Sequence, residues 1–258
     1  MTLKTKIKSL VATSALLLIT APSLATIVVF ETSQGNIEVN LFDNATPATV
    51  ANFLTYVNSG SYNTTVIHRS VPEFIVQGGG FVFNGENLEE IADNGAVVNE
   101  PVYSNVAGTI AMAKIGGIAN SATNQWFFNM ADNSDNLDFQ NSGFTVFGQV
   151  ISGMEHLETI QNLTHCGDIP LDDFTVAQCS DGSVAGFENY VSITNIDIAD
   201  ATVDTASTLT PTPTKLTVET AAPAIEEDSD SSSSGGSIGF FTLLMTSMVW
   251  LRRKSVTH

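Results

Sequence analysis

Positive charge is what this sequence has least of. Its 258 residues contain nine lysines and arginines against 27 aspartates and glutamates, a formal net charge of −18. Between residues 26 and 200 the only cationic side chains are Arg69 and Lys114. Nucleic acids and anionic membrane surfaces are bound through clusters of lysine and arginine. The composition therefore argues against both as partners, and the acidity is typical of a solvated surface.

The sequence also lacks a long apolar run near its start. Lys4, Lys6 and Lys8 precede an apolar stretch over 10–19 that is too short for a stable membrane span. Small residues follow in Pro22-Ser23-Leu24-Ala25. This order is typical of a secretory signal peptide. We therefore predict a signal over 1–25, export of the protein, and a mature chain that begins at Thr26.

Cysteine is scarce, since Cys166 and Cys179 are the whole complement. An exported protein meets an oxidising compartment, which favours pairing the two. Such a bridge closes a short loop and stabilises by about 3 kcal/mol on the chain-entropy estimate. The alternative is a metal site that adds His165 and His156, but the paired spacing of such sites is missing. We predict a disulfide, remote from the arginine-containing block, that contributes to stability more than to activity.

Short apolar segments dominate residues 26–200. A helix is predicted from Thr46-Pro47, with the threonine as cap and Val50, Phe53, Leu54 and Val57 on its buried face. A second helix is predicted over 154–160. Many short strands with only two helices indicate a mainly β fold, a closed antiparallel eight-stranded barrel covered by the helices. The strands are predicted at 27–30, 37–41, 66–71, 74–77, 109–113, 126–130, 144–150 and 191–198.

The C-terminal region has a different composition. Residues 201–234 are rich in threonine, proline, serine and acidic residues, which predicts a linker without a core of its own. Over 235–258 a Gly-Gly-Ser sequence precedes about 14 apolar residues, short of the ~20 that span a bilayer. A basic Arg252-Arg253-Lys254 cluster then favours a cytoplasmic end.

This tail resembles the Gly-Gly sorting tails of exported Gram-negative proteins. The resemblance implies transient anchoring in the inner membrane and removal by an intramembrane protease of the rhomboid type. The final location would be periplasmic, cell-surface or secreted. A lipid-anchor signal of the GPI type is the alternative, but such signals end in the apolar segment and not in basic residues.

One block over 66–81 places the lone arginine of the region, Arg69, close to Phe74, Gln77 and three consecutive glycines. A guanidinium is always charged and offers five donors in a rigid fork, so it suits catalysis by a fixed charge. The glycines predict a tight turn, because a phosphate loop would need a following helix and basic residues.

This block and three later ones resemble the cyclophilins, a family of peptidyl-prolyl cis-trans isomerases. The blocks keep the family's order and cover about residues 26–198, which implies a cyclophilin-like domain over 26–200. They are His68-Arg69 with Pro72, Phe74 and Gln77-Gly78-Gly79; Gly108-Thr109-Ile110-Ala111-Met112-Ala113; Asn120-Ser121-Ala122-Thr123 with Gln125-Trp126-Phe127-Phe128-Asn129; and Phe144-Thr145-Val146-Phe147-Gly148-Gln149-Val150.

The resemblance implies an enzyme that accelerates rotation of X-Pro bonds in proline-containing polypeptides. That rotation crosses a barrier of about 18–20 kcal/mol because amide resonance is lost. It needs no nucleophile, metal or cofactor, only a site that prefers the twisted amide. Arg69 would donate to the proline nitrogen, and Gln77 would hold a substrate carbonyl and steady Arg69.

The remaining roles also come from the resemblance. The catalytic set would be Arg69, Phe74, Gln77 and Phe127. His68 belongs to the signature but is interpreted as structural, because the chemistry requires no base. The residues expected to line the proline pocket or to hold the peptide main chain are Ile75, Ala113, Lys114, Leu137 and Phe144.

Several positions depart from the family pattern. Asn136 stands where eukaryotic members usually have tryptophan, Phe144 where they have histidine, and Ile75 where many members have methionine. Trp126 replaces a phenylalanine and is predicted to lie in the core. The alternative functions are a non-catalytic proline-peptide binding module or holdase chaperone, and a surface adhesin displayed by the tail. We expect a monomer.

Overall fold

A computed structural model of the chain describes residues 26–201 and 205–216. The predicted signal peptide and sorting tail lie outside these residues. Within them, no helix is both long enough and apolar enough to cross a bilayer. The described strands are β1 Ile27–Thr32, β2 Gly35–Leu41, β3 Arg69–Val71, β4 Ile75–Gly78, β5 Phe81–Phe83, β6 Leu88–Glu90, β7 Thr109–Met112, β8 Trp126–Asn129, β9 Val146–Ser152, β10 Thr164–Cys166, β11 Ile169–Leu171 and β12 Ile193–Asp200. The α-helices are α1 Pro47–Asn58, α2 Ser134–Leu137, α3 Met154–Asn162 and α4 Val176–Asp181.

Eight strands form one antiparallel sheet in the order β12-β1-β2-β9-β7-β8-β4-β3. The predicted strand number is confirmed, but the predicted closure is wrong: the sheet is a curled, open half-barrel. The irregular chain before β3 meets the start of β12 through a bridge between Val66 and Ser192. Backbone hydrogen bonds flank this bridge, from Thr64 to Ile193 at 2.8 Å, from Ile193 to Thr65 at 2.7 Å and from Ile67 to Val191 at 2.8 Å. Within β3 itself, the Ser70 N–H donates to the carbonyl of Asp168 at 2.7 Å and not to β12.

The main core lies between one face of this sheet and the helices α1 and α3. Phe30 packs against Phe53 and Trp126, with ring centroids 5.9 and 5.0 Å apart. Trp126 is fully buried, as predicted. Its indole ring lies over Gly78 and Gly79, where an added Cβ would come within 2.8 and 2.5 Å of it. The glycine run therefore makes room for the tryptophan as well as turning the chain.

Helix α1 begins at the predicted proline but is not capped as predicted. The Thr46 hydroxyl donates to the carbonyl of Phe42 at 3.2 Å and makes no cap. Instead, the carboxylate of Glu100 accepts from the backbone N–H groups of Ala48 and Thr49 at 3.2 and 2.9 Å. An acidic group is favourable at the positive end of a helix, so a distant residue performs the capping.

Part of the predicted linker packs on the domain. We call residues 205–216 the docked segment. Its Leu209 side chain contacts an apolar cluster on the outer side of the sheet. The carbonyls of Thr212 and Pro213 accept from the backbone N–H and the hydroxyl of Ser104 at 2.8 and 3.0 Å. The packed chain thus continues beyond the boundary predicted at residue 200.

Candidate active site

Strand register brings three predicted catalytic residues together on the outer face of the sheet. Arg69 on β3 lies opposite Gln77 on β4, and Gln77 lies opposite Phe127 on β8. Directly opposed residues of antiparallel strands project to the same face. The neighbours Val76 and Trp126 project the other way, into the main core. Residues far apart in sequence therefore form one row across three strands.

An apolar cluster surrounds this row. Ile75, Phe127 and Leu137 are buried in it, and the partly buried side chains of Phe74, Ala113 and Phe144 pack at its margin. The rings of Phe127 and Phe144 meet edge to face, with centroids 5.8 Å apart. The structure thus brings together six of the seven residues predicted to surround a proline ring or to hold the peptide next to it, and the seventh is Lys114.

The polar contacts in the row differ from those predicted. Gln77 is buried, and its Nε2 donates to Oε1 of Gln125 at 2.9 Å. Arg69 instead donates from Nε to Oδ2 of Asp168 at 3.1 Å. The expectation that Gln77 steadies Arg69 is not met among the described residues. Neither Gln125 as an anchor nor Asp168 was singled out in the sequence, because no local pattern links them to the arginine.

The side chain of Lys114 makes contacts that were not predicted. Its buried Nζ donates to the carbonyls of Asn141, at 2.8 Å, and of Gly143. The same ammonium lies 4.9 Å from the centroid of the Phe144 ring. Burial lowers the pKa of Lys114 to about 8. Asn141, Ser142 and Gly143 all have left-handed backbone angles, with φ between 51° and 74°. Since such a run is unfavourable without support, Lys114 stabilises the turn that presents Phe144.

A buried network of side-chain amide hydrogen bonds supports the backbone of Phe74. Asn133 donates from Nδ2 to the carbonyl of Phe74 at 2.9 Å and to Oδ1 of Asn129 at 2.8 Å. Asn129 in turn donates to Asn105 at 3.2 Å, and Asn105 to Asp138 at 3.0 Å. The amide groups of the network are hydrogen-bonded and hold Phe74 in place, whereas Oδ2 of Asp138 at its end is buried without a partner among the described residues. The network is invisible in the sequence because its members come from three separate stretches of the chain, at 74, at 105 and over 129–138.

His68 lies beside the site, but its surroundings do not suit it to act as an acid or base. Its ring packs against Phe81 with centroids 4.7 Å apart. Burial is the main cause that lowers its pKa to about 4, so the imidazole is neutral at pH 7. These contacts support the structural role predicted for it.

The predicted disulfide between Cys166 and Cys179 is present. Both sulfurs are therefore used covalently, and the alternative metal site that recruited them is wrong. The expectation that the bridge is remote from the arginine is also wrong, because the turn after Cys166 carries Asp168 to Arg69. Arg69 and Asp168 are 99 residues apart in the sequence, so their separation along the chain wrongly suggested that they are also apart in space.

The fold and the site define a half-barrel protein with a fixed positive charge beside an apolar surface that suits a proline ring. Comparison with known proteins gives the family. A profile described as "Cyclophilin type peptidyl-prolyl cis-trans isomerase/CLD" matches residues 27–181, more than half of the chain. The chain belongs to the cyclophilin-type peptidyl-prolyl cis-trans isomerases, and it is an enzyme of that activity.

Bacterial relatives carry the same activity in their names. The peptidyl-prolyl cis-trans isomerase of Acinetobacter baylyi is 42% identical over 151 residues, which cover 57% of this chain and 78% of the relative. Peptidyl-prolyl cis-trans isomerase A of Dickeya dadantii is 44% identical over 147 residues, covering 55% and 75%. Isomerase B of Escherichia coli is 36% identical over 161 residues, covering 58% and 95%.

A solved structure is also similar. The cyclophilin type isomerase of Cryptosporidium parvum superimposes with a TM-score of 0.49 at 24% identity, covering 68% of this chain and 98% of that chain.

Proposed function

We propose that the isomerase binds an extended X-Pro peptide across the outer face of the sheet and twists the amide beside Arg69. The observation that carries this assignment is the cross-strand row in which Arg69, Gln77 and Phe127 are neighbours. The proline ring contacts the apolar cluster, and the main chain runs along the edge at Ala113. The side chains assigned to the ring are Phe74, Ile75, Phe127, Leu137 and Phe144.

The reaction follows from amide chemistry. As the C–N bond rotates, resonance is lost and the proline nitrogen gains an accepting lone pair. A donor that meets this lone pair stabilises the twisted state more than either planar state, which is the condition for catalysis. The terminal N–H groups of Arg69 supply that donor. Stabilising the twisted state by about 7 kcal/mol would accelerate the reaction by about five decades, and a desolvated site strengthens each polar contact.

Replacement of Arg69 tests this assignment. Arg69→Ala is expected to lower kcat/KM for an X-Pro peptide by at least about 100-fold, equivalent to ~2.7 kcal/mol. A protease-coupled isomerisation assay gives the rate, and circular dichroism checks that the fold is kept. Arg69→Lys is the matched control, because it keeps the charge and loses the fork. A rate for Arg69→Ala near that of the wild type would exclude the arginine as the electrostatic element.

We infer that the enzyme is exported and acts on exported or surface polypeptides. The signal-like residues 1–25, the disulfide and the tail over 235–258 support this location. Transient anchoring through the apolar tail, followed by its proteolytic removal, would release the enzyme outside the inner membrane.

Intact-mass measurement on protein from the native host tests the tail. The mature chain is expected to begin at Thr26 and to end near residue 237, and to fractionate outside the inner membrane. Its chain would then contain the whole described region and no apolar tail. A product that still ends at His258 in the inner-membrane fraction would instead make the segment a permanent anchor.

A further inference from the structure

The turn between β10 and β11 places the carboxylate of Asp168 next to β3. Cys166 pairs with Ile169, so the connection is the two-residue turn Gly167-Asp168. Gly167 has φ of +68°, in the left-handed region that two-residue hairpins require and that glycine adopts freely. The tip residue is therefore Asp168, which lies against the edge of β3.

Two contacts join this tip to the strand that carries the catalytic arginine. The carbonyl of Asp168 accepts from the backbone N–H of Ser70 at 2.7 Å, and its carboxylate accepts from Nε of Arg69 at 3.1 Å. An ion pair with one partner 59% exposed contributes little by Coulomb attraction alone. Here, however, the backbone contact already holds Asp168 in place, so its carboxylate acts as a fixed acceptor.

The contact with Asp168 uses only the Nε–H of Arg69 and leaves its terminal N–H groups available. A guanidinium has five N–H donors. Asp168 receives one, from Nε, and this is the hydrogen bond that the described contacts give the Arg69 side chain. The four terminal N–H groups remain to meet a substrate. Fixing the Nε edge also fixes the plane of the fork, and a donor already aligned with the developing lone pair favours the twisted amide.

The disulfide holds the hairpin that presents this carboxylate. Cys166 directly precedes the turn, and its bridge ties β10 to Cys179 in α4. Between hairpin and helix lies a cavity of about 160 Å³, lined in part by both cysteines, Leu171 and Phe174. The covalent link therefore restrains the hairpin relative to α4.

We propose that Asp168 is a positioning residue for Arg69 and that the Cys166–Cys179 bridge keeps it in register with β3. This inference rests on the role proposed above for Arg69. The carboxylate does not touch the substrate. Its effect is expected in the rate of rotation and not in peptide binding, because it orients a donor that is used mainly in the twisted state.

Kinetics of Asp168 variants test the inference on the full domain. Asp168→Ala is expected to lower kcat about tenfold with little change in KM, and Asp168→Glu to recover part of the loss. Asp197→Ala is the charge-matched control for Asp168→Ala. It removes one exposed carboxylate on β12 and should keep the wild-type rate. Circular dichroism establishes that each variant is folded.

A double-mutant cycle separates this inference from the proposed function. In the Arg69→Ala background, Asp168→Ala should have no further effect, because it acts through the arginine. A slow Arg69→Ala combined with a wild-type rate for Asp168→Ala overturns the positioning role alone. An undiminished tenfold effect of Asp168→Ala in the Arg69→Ala background also overturns it. A wild-type rate for Arg69→Ala overturns the proposed function and the inference together.

The disulfide is tested with a Cys166→Ser, Cys179→Ser double variant, assayed well below its unfolding temperature. Its kcat should fall in the same direction as that of Asp168→Ala. Adding Asp168→Ala to the double variant should then lower kcat by much less than tenfold. Equal rates with and without the bridge would overturn the part of the inference that assigns the restraint to the disulfide.

Discussion

Arg69 and His68 are adjacent in sequence, but one side chain is charged and the other is neutral. The guanidinium keeps its charge at every accessible pH, whereas burial lowers the pKa of the His68 imidazole to about 4. A neutral ring on the preceding residue avoids a second positive charge beside the guanidinium. Catalysis by a fixed charge therefore needs no proton transfer from the neighbouring histidine.

The lowered pKa of His68 allows a prediction of how the free energy of unfolding changes with pH. Unfolded His68 takes up its proton near 6.5 and folded His68 near 4, so the unfolded state binds more protons between these values. The contribution of this group is full above pH 6.5 and is lost as the pH falls toward 4, by up to about 3 kcal/mol. Urea unfolding of the wild type and of His68→Phe between pH 7.5 and 4.5 measures it.

The variant should lose less stability than the wild type over that pH range. His156→Gln is the control, since it removes a histidine that is a third exposed and not buried. Identical pH profiles for the wild type and His68→Phe would contradict the buried neutral state.

At the scale of elements, the docked segment changes where the domain ends. Leu209 packs on the cluster that contains Phe127 and Phe144, and Thr214 donates its N–H to the carbonyl of Val102 at 3.1 Å. At its far end, the Leu216 side chain lies 3.4 Å from where a Cβ on Gly143 would be. The segment therefore flanks the turn that leads into the proline pocket.

Truncation measures the contribution of the docked segment. A chain ending at residue 201 loses the packing of Leu209 and the hydrogen bonds to Ser104, so its free energy of unfolding should fall by about 2–3 kcal/mol. A chain ending at residue 216 keeps both and serves as the control. Urea unfolding of the two chains gives the difference, and equal midpoints would show that the segment does not stabilise the domain.

At the scale of the whole molecule, the predicted signal-peptide cleavage site lies directly before Thr26, which is part of the folded domain. Its backbone nitrogen donates to Oδ2 of Asp43 at 2.8 Å, and its hydroxyl donates to Oδ1 at 3.0 Å. Thr26 is buried, and burial raises the pKa of the Asp43 carboxyl. Cleavage before Thr26 would convert this amide into an ammonium group facing the carboxylate.

Such an ammonium should stabilise the mature domain. A charge-assisted hydrogen bond is about twice as strong as a neutral one. A chain with a free Thr26 N-terminus is therefore expected to be about 1–2 kcal/mol more stable than the same chain with a short N-terminal extension. Asp43→Asn should abolish the difference. Urea unfolding at pH 7 compares the four proteins, and equal stability of the two wild-type N-termini would refute the prediction.

Local patterns in the sequence predicted much of the architecture. All eight predicted strands correspond to strands of the main sheet, with boundaries that differ by a few residues. Helices α1 and α3 were also predicted, and Val50 and Phe53 are buried as expected. The small hairpins β5–β6 and β10–β11 and the short helices α2 and α4 were missed. Three- to six-residue elements contain too few residues to establish a period.

The site was predicted through the cyclophilin resemblance, and the structure brings its residues together on one face. The supporting residues were not predicted. Glu100 caps a helix some 50 residues away, and Asp168 meets Arg69 from 99 residues away. No pattern of neighbouring residues encodes such pairs.

The sequence by itself determined the periodicity of the strands and the cysteine pairing, because these depend on side-chain type, number and local spacing, and the cyclophilin resemblance supplied the candidate site residues. Only the tertiary structure decided that the sheet stays open and that part of the linker packs on the domain. It also decided that the disulfide hairpin reaches the arginine. These features depend on how far the sheet curls, and that curvature is set by the packing of the whole core rather than by any one segment.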